Sequence, residues 1–208
     1  MNLDDVFGKS PKRINAEDCT CHSGGAEGAD TAFEVAAARW GITTKAYSYK
    51  TKYHESLNKV EISQADYEEG VEQVNKANRR LGRFGISRYM NLLARNWSQV
   101  KYSRQVFAVG TIVDPGKKDS KGYKNKWKQQ IVSGGTGYAV MMAVLSERDV
   151  YVFDQNIGKW HRWSYLSEKF QQVEPPLITE NQFAGIGTRQ LSESGRAAID
   201  SLFEKTFS

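Results

Sequence analysis

At 208 residues the chain has the length of one ordinary domain with an insertion, and two complete domains would be a squeeze. Hydrophobic residues at 39%, charged residues at 25% and aromatics at 12% exclude global disorder, because the apolar surface is enough to offset chain entropy. The net charge of +5 permits an anionic partner without naming one, and no run approaches the roughly 20 apolar residues of a membrane-spanning helix.

Residues 1–17 show no sustained period and carry Lys9-Ser10-Pro11-Lys12-Arg13, so they read as an N-terminal arm preceding a single domain over 18–208. The start lacks the apolar core of a secretory signal, and a cytoplasmic location is expected. Asp18 to His22 reads as a short strand that Ser23-Gly24-Gly25 breaks just before the Ala-rich helix Ala26 to Trp40. Cys19 and Cys21 lie two apart on that strand, where a disulfide would strain the backbone, and no second Cys/His pair completes a metal set. Buried, reduced thiols are the favoured reading, with no metal and no cofactor expected.

Gly41 stops the first helix, and Ile42 to Tyr49 is β-branched and aromatic enough for the next strand. Glu61 to Leu81 suits a surface helix with one buried stripe, and Ser87 to Trp97 suits a second helix. Gln105 to Val109 (QVFAV) is a compact strand. After it, about 114–131, comes a basic insertion containing KKDSKGYKNKWK. Its lack of period marks a mobile surface loop, and its sharper reading is a lid over a phosphate or a contact to nucleic acid.

Ser133-Gly134-Gly135-Thr136-Gly137 is a second glycine turn, followed by the apolar helix Tyr138 to Leu145 and the strand Val150 to Phe153. Lys159 to Trp163 (KWHRW) reads as a hairpin partner, with Trp160 and Trp163 in core and rim and His161 structural. Leu166 to Glu180, with Pro175-Pro176, reads as a helix end and an extended connection. Gln182 to Ala184 then enters a third turn, Gly185-Ile186-Gly187-Thr188, before the helix Leu191 to Phe207, for which Ser192 or Thr188 is the cap.

Each glycine turn alone is ordinary. Three of them between strands and helices imply an α/β fold, a Rossmann-like and mostly parallel sheet with helices on both faces. In such a fold these turns gather at the carboxyl ends of the strands, and exposed helix-start amides there attract an anion.

The segments SGGAEGAD (Ser23 to Asp30), LLARN (Leu92 to Asn96), SGGTGYAVMMA (Ser133 to Ala143), VYVFD (Val150 to Asp154) and FAGIGTR (Phe183 to Arg189) resemble motifs of the SLOG superfamily. That superfamily contains the Smf/DprA-like and Lonely Guy-like Rossmann proteins, and the match is closest to its phage and bacterial members. In most relatives the GIGSR-type element comes first. Here it is near the C-terminus, an order that resembles circular permutation and requires the last helix to end near the start of the Asp18 strand.

The resemblance implies a nucleotide or nucleotide-derived ligand and a homo-oligomer in the cytoplasm, the host's if the chain is phage-encoded. It carries the ligand to Ser23, Gly24, Gly25, Asp30, Arg95, Asn96, Gly134, Gly135, Thr136, Gly185, Gly187, Thr188 and Arg189. The glycines would approach phosphate, Arg95 or Arg189 would pair with it, and Asp30 or Asn96 would bond ribose or base. The expected function is a sensor or sequestering protein, in keeping with relatives linked to phage–host conflict.

The Lonely Guy branch implies an alternative, a nucleotide N-glycosidase, which needs a carboxylate near the anomeric carbon. The segment after the second turn has none, leaving Glu27, Asp30 and Asp154 as weak catalytic candidates. A third option, single-stranded DNA binding of the Smf/DprA kind, rests on Lys117, Lys118, Lys121, Lys124, Lys126 and Lys128 with Tyr123 and Trp127.

Overall fold

A computed structural model describes residues 14–208 apart from 52, 53, 55, 120 and 121. The elements in chain order are β1 (Thr20–Ser23), α1 (Ala29–Arg39), β2 (Thr43–Ser48), β3 (Lys59–Glu61), α2 (Gln64–Leu81), α3 (Met90–Lys101), β4 (Gln105–Gly110) and β5 (Ile112–Val113). They continue with β6 (Ile131–Val132), α4 (Thr136–Leu145), β7 (Asp149–Asp154), β8 (Lys159–Ser164), β9 (Lys169–Val173), β10 (Gln182–Gly187) and α5 (Glu193–Phe207).

Eight strands form one sheet in the order β3-β2-β1-β10-β4-β7-β8-β9. The six from β3 to β7 are parallel, and β8 and β9 extend the sheet as an antiparallel hairpin edge. This is the Rossmann-like architecture that the alternation of apolar strands and glycine turns implies. Period-2 side-chain alternation serves two cores at once. Val106, Ala108, Val150, Val152, Ala184 and Ile186 face α2, α3 and α4. Cys21, Phe107, Val109, Phe153 and Phe183 face α1 and α5. Both cysteines are free and buried.

The helix boundaries follow local chemistry. Ser63 caps α2 by accepting from Asp66 N, and Gly82 ends that helix at φ 59°. Ser192 caps α5 by accepting from Gly195 N. The last turn of α5 and the start of β1 meet on the same connection: Ile178 N donates to Thr206 Oγ1, and Thr20 N donates to Asn181 O.

Several boundaries differ from the sequence reading. Gly185 and Gly187 lie inside β10 rather than in a turn, because Gln182 to Gly187 pairs along β1 and β4. Residues 166–174 form no helix end; Lys169–Val173 pairs with β8 and seats Phe170 against Trp163 at 5.0 Å. Order begins before Asp18, with a 3-10 turn at Ala16–Asp18, and Ile14 and Ala16 pack on the α1/α5 core. The rest of the expected arm, residues 1–13, lies outside the described residues.

The basic insertion is built rather than loose, since β5 and β6 pair antiparallel at its base. Inside it, buried Asn125 donates from Nδ2 to Val113 O and Gln129 O, while its backbone bonds Gly116 and Lys117. Strand β3, three exposed residues, had no sequence signature and is held by its ladder to β2.

Gly185 is set by close packing. A Cβ there would stand 2.3 Å from Phe33 Cγ and 2.6 Å from Phe33 Cβ. Gly185→Ala is expected to lower stability by about 1–3 kcal/mol through overpacking, read as a lower urea midpoint with an unchanged slope.

Candidate functional site

The strand order reverses at the centre of the sheet: the chain steps from β1 to β2 and β3 on one side, then crosses to β4 and β7 on the other, and β10 fills the gap. The crevice of an open α/β sheet lies at the carboxyl ends of the strands at such a reversal. Here those ends are Ser23, Gly187 and Gly110.

All three glycine segments meet there. Ala29 N, at the start of α1, donates to Thr188 O, and Thr188 N donates to Val109 O. Ser133 N donates to Thr111 O just beyond β4, and a Cβ on Gly110 would touch Thr136 Cγ2 at 3.8 Å. Helix α3 spans the assembly. Its Leu93 approaches Gly135, and its Arg95 lies directly on Gly24, whose missing Cβ leaves the room the guanidinium occupies.

Asp30 is the hub. Only 4% exposed, it accepts from Gly187 N at 2.9 Å through Oδ1 and faces Arg95 Nη1 at 3.8 Å through Oδ2. Burial pushes its carboxyl up to about 6, against the opposing pull of the Arg95 charge and the Gly187 and Ala26 amides. Arg95 is 5% exposed, and its hydrogen bond to Gln99 Oε1 is 3.4 Å long. Burial lowers its pKa; Asp30 opposes that effect, and the nearby Arg189 charge adds to it. Among the described residues, a desolvated guanidinium therefore sits at the strand ends with one long hydrogen bond and the Asp30 carboxylate beyond bonding distance, while Glu34 adds a second negative charge and exposed Arg189 a second positive one.

Beside this pair, Ser23 Oγ donates to Glu34 Oε1 at 3.0 Å. Ser56 Oγ and Asn58 Nδ2, from the connection between β2 and β3, donate to Glu34 Oε2. The His54 ring rests on Gly25, where a Cβ would come within 2.3 Å of it. Burial, and then the Arg95 charge, lower the His54 pKa. Glu34, His54, Ser56 and Asn58 escaped the sequence reading. Only Glu34 had a signal, being four residues from Asp30 and so on the same face of α1.

The second turn is the open one. Gly134 takes φ 65° and has nothing within 4 Å of a Cβ position. Arg83 holds this turn from behind, donating to Gly134 O and, at 2.8 Å, to Val132 O. The amides of Gly134, Gly135 and Thr136 have no acceptor among the described residues, and Gly135 is exposed. They are the orphan donors of the start of α4.

The remaining candidates divide. Gly187 is spent on packing, against Ala29 Cβ and Val109 O. Thr188 Oγ1 accepts from Gln190 N, and Asn96 is buried on α3. Glu27 is exposed. Asp154 is committed to the β7–β8 hairpin, accepting from Asn156 N at 3.0 Å, with its pKa raised by burial. His161 Nδ1 contacts Lys159 O at 3.2 Å, and Trp160 and Trp163 are core residues. No family model, no curated protein and no solved structure matches the chain.

The raised Asp30 pKa has a definite sign in stability. Between pH 4 and 6 the folded chain binds more protons at Asp30 than the unfolded chain does, so this group's contribution to stability falls as pH rises through that window and is level above it. The loss is on the order of 2–3 kcal/mol. Asp30→Asn removes the titration, leaving a roughly constant offset from the altered Arg95 contact. Urea unfolding of both proteins from pH 4 to 7.5 is expected to show the variant gaining on the wild type up to about pH 6 and then running parallel.

Proposed function

We propose that the carboxyl edge of the sheet binds a nucleotide or nucleotide-derived small molecule, and that the protein acts as a sensor or sequestering protein. The observation that carries this reading is Arg95. A guanidinium presents five donors in a planar fork suited to phosphate, and leaving it buried with one long bond among the described residues is costly unless a ligand completes its shell. The unpaired amides at the start of α4 and the exposed Arg189 supply further anion-binding groups around the same reversal in strand order. The resemblance to SLOG motifs points to the same ligand class. The FAGIGTR element at the C-terminus fits a permuted member, a reading supported by the shared anchoring of α5 and β1.

Turnover is not favoured. Asp30 is held by Gly187 N and Asp154 by its hairpin turn, and the one other candidate carboxylate, Glu27, is exposed rather than enclosed at the sheet edge. Native mass spectrometry of protein purified from cells, followed by calorimetric titration with nucleoside phosphates, dinucleotides and nucleotide sugars, tests the reading. An intact ligand is expected, and Arg95→Lys is expected to weaken it about tenfold or more, because the charge survives while the fork does not. Release of free base would replace sequestration by hydrolysis. A chain that binds none of these compounds, or binds them equally well as Arg95→Lys, ends the proposal.

A further inference from the structure

Away from the sheet edge lies a cavity of about 650 Å³. Helix α2 lines it with Gln73, Lys76, Arg79 and Arg80, and Trp127 of the insertion joins Leu145 and Ser146 at the end of α4 to complete the lining. The volume falls among small-molecule pockets, roughly 300–1,000 Å³, and suits a small guest rather than a folded partner.

Gln73, Lys76 and Arg80 follow one another at spacings of three and four with Arg79 beside them, so α2 brings three positive charges to one face. Like charges at that spacing repel. Nothing in the fold offsets them: no acidic residue lines the cavity, and Asp66 and Glu69, earlier on α2, are paired with Lys101. Lys76, Arg79 and Arg80 close no ion pair among the described residues, although Glu72 stands four positions before Lys76. The carbonyl end of α2 accounts for Arg79 and Arg80, which fall in its last turn, but not for Lys76.

The other lining residues are of a different kind. Trp127 is fixed through its backbone, whose N–H donates to Asn125 Oδ1, while Asn125 Nδ2 ties the insertion together at Val113 O and Gln129 O. The indole is half-buried beside Gly82, and its Nε1 has no acceptor among the described residues. Leu145 is 41% exposed. The side chains of Gln73 and Ser146 also have no hydrogen-bond partner among the described residues. Unpaired cations, a flat apolar surface and polar groups with bonds to spare thus line one cavity.

We infer that this cavity is a ligand site separate from the sheet edge, for a small organic anion that carries two or more negative charges on a planar ring. A neutral apolar guest would leave the three cations uncompensated, and a bare inorganic anion would leave Trp127 and Leu145 uncovered. Phosphorylated and polycarboxylated rings share the required chemistry. Because Trp127 belongs to the insertion and the cations to α2, an occupied cavity ties the insertion to that helix. No lining residue is shared with the sheet edge, so the two sites fail independently.

Calorimetric titration of the full chain with naphthyl phosphate, trimesate (a benzene tricarboxylate), pyrophosphate and naphthol tests the inference. One or both ring-bearing anions are expected to bind, the tighter one identifying a phosphorylated or a polycarboxylated guest, with pyrophosphate weaker and naphthol weaker still. Arg79→Glu with Arg80→Glu is expected to weaken that binding about tenfold or more. Trp127→Leu is expected to weaken the ring-bearing anions about fivefold and leave pyrophosphate unchanged. Arg95→Lys, at the sheet edge, is expected to change neither. Bound anion is also expected to slow hydrogen exchange in the insertion, and circular dichroism checks that each variant is folded. The inference is overturned if neither ring-bearing anion binds, if naphthol or pyrophosphate binds as tightly as both, or if the insertion exchanges at the same rate with the anion bound. Unchanged affinity in the folded charge-reversal variant overturns it too, as does binding lost in Arg95→Lys alone, which assigns the anion to the sheet edge.

Discussion

One buried carboxylate joins the parts on which the sheet edge depends. Asp30 belongs to the first turn of α1, takes the amide at the end of β10 and faces the guanidinium of α3, so three elements far apart in sequence are fixed through two oxygen atoms. Burial cost alone would favour a neutral group at this position. The opposing charge and amides hold the carboxyl near 6 rather than higher, and the carboxylate remains the main form at neutral pH. Its geometry also explains Gly24, since only a residue without a side chain lets the α3 guanidinium reach that depth.

A closed bidentate pair would have been the economical way to bury these two charges. Instead Arg95 and Asp30 stand at 3.8 Å, with Arg189 adding repulsion from the rim. Replacing a buried pair by packed apolar groups commonly costs nothing in stability, so an incomplete one is hard to account for as a stabilising device. Glu34 is the second carboxylate whose charge acts on Arg95, and it forms no ion pair with the guanidinium. The guanidinium is therefore held close to carboxylates without closing an ion pair at hydrogen-bonding distance.

The fold was legible where local pattern and burial agree. QVFAV and VYVF read as strands because both of their faces are buried, and Ser192 and Gly41 mark helix ends by their own chemistry. GIG reads as a turn because glycine usually breaks a strand. Here it thins one, letting Phe33 and Ala29 pack against β10. Strand β3 and the pairing of Lys169–Val173 come from tertiary ladders that no periodicity announces. At the site, Asp30 and Arg95 were found through their motifs. His54, Ser56 and Asn58 lie in an irregular connection, and only the register of β2 with β3 brings that connection over the first glycine turn.

The glycine segments carry two different duties, and this separates the site from its scaffold. Those of β1 and β10 are filled by protein: Arg95 over Gly24, His54 over Gly25, Ala29 beside Gly187. They pack the edge densely, which strengthens any charge interaction there. The segment before α4 is unfilled, with an exposed Gly135 and amides that have no acceptor among the described residues, and Arg83 braces it by its carbonyls. The first and third segments therefore fix the Asp30–Arg95 pair, and the second keeps amides with no acceptor among the described residues. A ligand that touches both must bridge α3 and α4, and these two helices pack against each other on the same face of the sheet.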